Sequence, residues 1–196
     1  MSINKIQNSV DALPLAPTGE WGFFRGVNGE LQYNFTGLAS GTKVLLSSGL
    51  APLAVTTATV TLGPTHVGRT VLLNRAAGIA FTLPAASGTG NVYNLLVQAT
   101  FTGAASVAVA NANDFMIGVA QMGIDGGTFV PHQYPTANTG TLATESDTIS
   151  MFGTANSTGG FKGATVRLQD VAANLWSVVY TSDAGGTEAN PFTAGV

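Results

Sequence analysis

The chain of 196 residues has only 9% charged residues and a net charge of −3, whereas about a quarter are charged in ordinary soluble domains. Its seven Lys and Arg residues are scattered from Lys5 to Arg167, which excludes the clustered basic surface that non-specific nucleic-acid binding needs. Cysteine is absent, so disulfides and thiolate metal sites are excluded, and no apolar run reaches the length of a membrane span.

Gly, Ala, Thr, Ser and Val take the place of the missing charges. A surface of this kind has little self-repulsion and few long side chains to immobilise, so a neighbour can cover it at low desolvation cost. That composition suits an assembly subunit. The opening MSINKIQNSVDALP has no continuous apolar core of the signal-peptide type, so a soluble protein made in a cytoplasm is expected. Neither nucleic acid nor membrane is an expected partner.

Residues 1–20 contain Pro14 and Pro17, and Ile3, Ile6 and Val10 have near-helical spacing, which suits a short amphipathic turn or an extended arm. Trp21–Arg25 and Leu31–Phe35 then flank Asn28-Gly29, a strong short-range hairpin signal. One face of this hairpin is expected to carry Trp21, Phe23 and Arg25, opposite Leu31, Tyr33 and Phe35. Aromatics and Arg are enriched at binding hot spots, so Ile3, Ile6, Trp21, Phe23, Phe24 and Arg25 are the candidate contact residues. Lys43–Ser47 reads as another short strand and Ser48–Pro52 as a joint. The expected organisation is an attachment module over 1–52 and a main β domain over 53–196.

Val55–Leu62 reads as one Thr-rich strand opening that domain. The stretch Arg69–Phe101 reads as a meander of three strands. Thr70–Leu73 comes first; Ile79, Phe81 and Leu83 then alternate with Ala80 and Thr82 before Pro84 ends the ladder. In the third strand, Tyr93, Leu95, Val97, Ala99 and Phe101 fall on one face, the period-two pattern of a half-buried antiparallel strand. Further strands are predicted at Ser106–Ala110, Asp114–Met122, Thr128–Val130, Asp147–Phe152, Ala164–Asp170 and Leu175–Thr181, with Pro131–Leu142 as a long polar loop. In the last of these strands Trp176, Val178 and Tyr180 share a face, which predicts a buried Trp176. Short strands separated by Gly-rich turns imply an all-β fold, an antiparallel sandwich or barrel.

Signals for chemistry are sparse. His66 and His132 are the only histidines, and neither has metal-ligand spacing; His132 reads as a surface residue of the Pro131–Leu142 loop. Paired carboxylates would suit a glycosidase. Asp114, Asp125, Glu145, Asp147 and Asp170, however, all stand beside turns, glycines or strand ends, where acidic residues cap the backbone. Asp125-Gly-Gly and Asp183-Ala-Gly-Gly are incomplete as calcium loops. No phosphate-binding loop, zinc motif or nucleophile elbow is present. A protein that is not an enzyme, without cofactor or metal, is expected.

RTVLLNRAAGIAFTLPAASGTG, followed by ANDFMIGVAQ, SDTISMFGTANSTGGFKGATVRLQDVAANLWSV and GTEANPFTA, resembles a family of tailed-bacteriophage virion proteins whose members are often found among head genes. The resemblance covers roughly residues 55–196; the first fifty residues match it poorly. It implies a virion structural protein of the outer capsid surface, with the major capsid protein and further copies of the chain as partners. A decoration (cement) protein, most simply a trimer at threefold positions, is the first expectation. A fibre or receptor-binding protein recognising a host glycan, with Tyr134 contributing, and a neck or tail component are the alternatives.

Overall fold

The computed structural model describes residues 51–124, 132–152 and 156–196, and before residue 51 the backbone of three strands. The chain divides into two compact units, Met1–Leu50 and Ala51–Val196. The first contains β1 (Gly22–Arg25), β2 (Leu31–Asn34) and β3 (Val44–Leu45), antiparallel in the order β1-β2-β3. Phe23 pairs with Tyr33 and Arg25 with Leu31, the register expected of a hairpin turning near Asn28-Gly29. The short strand expected in Lys43–Ser47 is β3, on the far side of β2. The arm of residues 1–20 and the Thr128–Val130 strand lie outside the described residues.

The second unit begins with β4 (Leu53–Val55), β5 (Thr59–Thr61), β6 (Thr70–Leu73), β7 (Ala80–Thr82), β8 (Val92–Val97) and β9 (Ala105–Ala108). It continues with β10 (Phe115–Ile124), β11 (His132–Pro135), β12 (Thr148–Met151), β13 (Thr165–Ala172), β14 (Leu175–Ala184) and β15 (Phe192–Thr193). Short 3-10 turns, among them Pro64–His66 and Leu142–Thr144, stand between the strands. One sheet has seven strands in the order β11-β10-β14-β13-β8-β6-β4, the other five in the order β15-β12-β9-β7-β5. The unit is thus all-β and sandwich-like, and no helix among the described residues is long and apolar enough to cross a membrane.

Its sheets are mixed rather than antiparallel. From β4 to β9 the chain changes sheet at every strand, so β4, β6 and β8 lie side by side in parallel, as do β5, β7 and β9. The expected meander over Arg69–Phe101 is therefore absent. Its first and third strands are parallel neighbours, Thr70 opposite Asn94, while its second belongs to the other sheet. The single strand expected over Val55–Leu62 is likewise two strands, one per sheet, with the chain bending at Thr57 and Ala58. Inside the segment read as a polar loop, β11 pairs with β10 as an edge strand. Pro135 is tolerated there because an edge strand has one side free of ladder bonds.

Alternation predicted the inward faces well. Val71, Leu73, Ile79, Phe81, Leu83, Tyr93, Leu95, Val97 and Phe101 are all buried in one hydrophobic core shared by both sheets. Met116, Ala120 and Met122 of β10 join Val166 and Leu168 of β13 and Val178 and Tyr180 of β14 there. β10 and β14 run parallel in unbroken register from Phe115 opposite Leu175 to Ile124 opposite Ala184. Gly118 permits that approach, because a Cβ there would collide with the Val178 carbonyl. Tyr180, fully buried, donates to the Thr158 carbonyl at 3.0 Å, and burial pushes its phenol up to about 12. Gly159 lies over this phenol at φ 88, where any side chain would strike Tyr180 and Ser182.

Trp176 is wholly buried, as its strand position predicts, and stands 5.9 Å from the Tyr93 ring centroid at a 55° tilt. Its indole N–H has no acceptor, so this residue contributes through packing alone. Trp176→Ala should lower stability by about 3–5 kcal/mol, read as a shift of the urea midpoint. An unchanged midpoint would show that the indole lies outside the core.

Candidate interaction surfaces

The five-stranded sheet has one face in the core and one turned away from it. Val60, Phe81, Val107, Ile149 and Phe192 point inward, and alternation leaves their neighbours on the opposite face. Register aligns those neighbours in rows. Thr61, Thr82, Ala108, Thr148 and Thr193 form one row across all five strands. Thr59, Ala80, Ser106 and Ser150 form the next. Every member is Thr, Ser or Ala, and all are exposed or half-buried. The result is a flat strip with no charge and no long side chain. Such a face loses little hydration and little rotamer entropy when another surface covers it.

The carboxylates have a different role. Asp114, Glu145, Asp147 and Asp170 are all buried, and each accepts hydrogen bonds from backbone amides. Asp170 takes Ser87 N at 3.0 Å, Gly88 N at 2.7 Å and Thr89 N at 3.0 Å, with the Thr89 hydroxyl at 2.6 Å. Asp114 takes the preceding amide, Ala86 N, at 3.1 Å, together with the Asn111 side chain. Four successive amides of the crossing between β7 and β8 are thereby gripped by two carboxylates. Glu145 holds Thr139 N and Gly140 N, and Asp147 holds Gly195 N and Val196 N. These are the backbone caps expected from sequence. Asp125 lies outside the described residues, among which no cluster of His, Asp and Glu could hold a metal.

His132 departs from its expected place in a polar loop. It opens β11, and its Nδ1 stands 3.1 Å from Oε2 of Glu188, whose side chain is nearly buried. The two are close enough to pair when the imidazole is protonated, though they are not aligned for a hydrogen bond. Burial, reinforced by the Glu188 charge, raises the Tyr134 phenol beside them. Nothing in the sequence pattern links Glu188 to this strand.

Of the predicted contact residues, Ile3, Ile6 and Trp21 lie outside the described residues, and Phe23, Phe24 and Arg25 belong to β1. The small-residue face was not anticipated. Its signal was present as the repeated alternation of Thr, Ser or Ala with one large apolar residue in Thr59–Thr61, Ala80–Thr82, Ser106–Ala108 and Thr148–Ser150.

Burial opposes ionisation of Asp170, but hydrogen bonds from Thr89, Gly88 and Ser87 outweigh it and hold the carboxyl below its ordinary value of 3.8. A depressed folded-state pKa stabilises the fold above the unfolded value and is lost as pH falls through the folded one. Asp170→Asn should therefore cost about 1–3 kcal/mol at neutral pH, with the gap to the parent narrowing below about pH 4. Urea titrations of both proteins across that range check this; a constant gap would refute the charge-assisted clamp. No protein-family model and no curated protein matches the chain.

Proposed function

We propose that the protein is a capsid decoration (cement) protein of a tailed bacteriophage, bound to the outside of the head where capsomers meet. The observation that carries this reading is the uncharged Thr, Ser and Ala face spanning all five strands of the smaller sheet. A protein whose task is to lie on another protein benefits from such a face, and the resemblance of residues 55–196 to tailed-bacteriophage virion proteins often found among head genes suggests the partner, the major capsid protein. The role is mechanical. A subunit that binds only the expanded shell stabilises that state by linkage, and modest contacts suffice when a trimer engages several capsomer edges at once. Closed threefold symmetry matches a threefold site. The aromatic hairpin of β1 and β2 is the second proposed contact element, through Phe23, Phe24 and Arg25 with Ile3, Ile6 and Trp21.

Two measurements test this. Quantifying the protein in purified virions should give hundreds of copies per particle; a few dozen or fewer would favour a fibre. Purified protein should also bind heads that lack it, and Thr82→Lys, which places a charge within the small-residue face, should weaken that binding by at least about tenfold, or 1.4 kcal/mol, while its melting temperature stays near the parent's. Normal binding by this variant would remove the face from the interface.

A further inference from the structure

The outer face of the seven-stranded sheet, on the opposite side of the sandwich from the small-residue strip, contains an open cleft of about 400 Å³. That volume lies toward the lower end of the about 300–1,000 Å³ common for small-ligand sites. Strand register builds it. Gln121 on β10 is paired with Gln133 of β11 on one side and Thr181 of β14 on the other, which sets three polar side chains in a row. One step along, Gly123 is paired with Asp183, and Lys162 and Gly163, from the turn before β13, close the end. Gly163 leaves its end of the cleft open, since nothing stands where a Cβ would be, and it adopts φ 98, a conformation that favours glycine.

Three features narrow the ligand. The side chains of Gln121, Gln133, Lys162, Thr181 and Asp183 end in amides, an ammonium, a hydroxyl and a carboxylate, and the described residues include no aromatic platform in the cleft. Stacked bases therefore gain little there. One ammonium balances one carboxylate, so no net field favours a polyanion. Lys162 and Asp183 also form no ion pair with each other, since the one pair among the described residues is His132 with Glu188. Donors and acceptors of both kinds thus face one small volume, with no side-chain hydrogen bond or ion pair to other described residues. A ligand that presents many hydroxyls, each able to donate and accept, fits this set best.

We propose that this cleft binds a short, neutral saccharide, with Gln121, Gln133 and Thr181 reading hydroxyls along the row, Asp183 accepting from a hydroxyl pair and Lys162 donating from the far end. The inference does not rest on the decoration reading, and the two use opposite faces of the unit.

The test uses the full chain and ligand-observed saturation-transfer NMR with a panel of neutral hexoses and N-acetylhexosamines. At least one sugar should receive saturation from the protein. Asp183→Ala and Gln121→Ala, both at exposed positions, should weaken its binding by at least about tenfold, the loss of one good hydrogen bond, with unchanged melting temperatures. No transfer to any member of the panel overturns the proposal. So does transfer that survives both substitutions, which would place the sugar elsewhere, or a preference for inorganic phosphate over every sugar, which would make the cleft an anion site.

Discussion

A chain that changes sheet at almost every strand must turn its backbone at the rim of the core again and again, and each turn leaves amides that no ladder satisfies. A buried amide without a partner costs about 1–3 kcal/mol, a serious fraction of a domain's total stability of about 5–15 kcal/mol. Without cysteine, no covalent crosslink offsets such losses. Buried carboxylates meet the need instead. Asp170 and Asp114 satisfy the four amides from Ala86 to Thr89, Glu145 those of Thr139 and Gly140, and Asp147 those of Gly195 and Val196. Two of the crossings between sheets, β7 to β8 and β11 to β12, are capped in this way, and Asp147 ties down the backbone after β15.

This arrangement also makes the surface poorer in charge than the composition implies. Four of the six acidic residues among the described residues are inside, where hydrogen bonds to one or both oxygens offset part of their desolvation. The strands of the smaller sheet contribute none to the outside. An uncharged strip and a tightly capped set of turns are therefore two results of one allocation of acidic residues.

Much of the fold was legible in the sequence, though unevenly. Period-two alternation shows which side chains of a strand share a face, so the burial of Phe81, Tyr93, Leu95 and Trp176 could be read directly. It does not identify the partner strand. Thr70–Leu73, Ile79–Leu83 and Tyr93–Phe101 look the same as a meander or as strands dealt alternately to two sheets, because turn residues such as Asn74 and Gly78 suit either route. Val55–Leu62 hid its bend for a related reason. Threonine is at home in a strand, and no Gly or Pro marked Thr57-Ala58. The carboxylate caps were legible because an acidic residue beside a turn has a local task. The polar cleft was not, since Gln121, Gln133, Lys162 and Asp183 come from separate segments that only the strand register brings together.

The β10–β14 ladder has a kinetic consequence. Phe115 pairs with Leu175 and Ile124 with Ala184, so the central seam of the larger sheet joins segments that leave the ribosome far apart in time. In parallel strands no hairpin can nucleate such a seam, and the loop must be closed before any of its contacts stabilise the chain. Pairing of such wide sequence separation slows folding, and this seam needs β14 before it can form. Where the seam closes after the rate-limiting step, each of its pairs lengthens the lifetime of the folded state without altering how fast it forms. Durability in this molecule is then a matter of how seldom it opens.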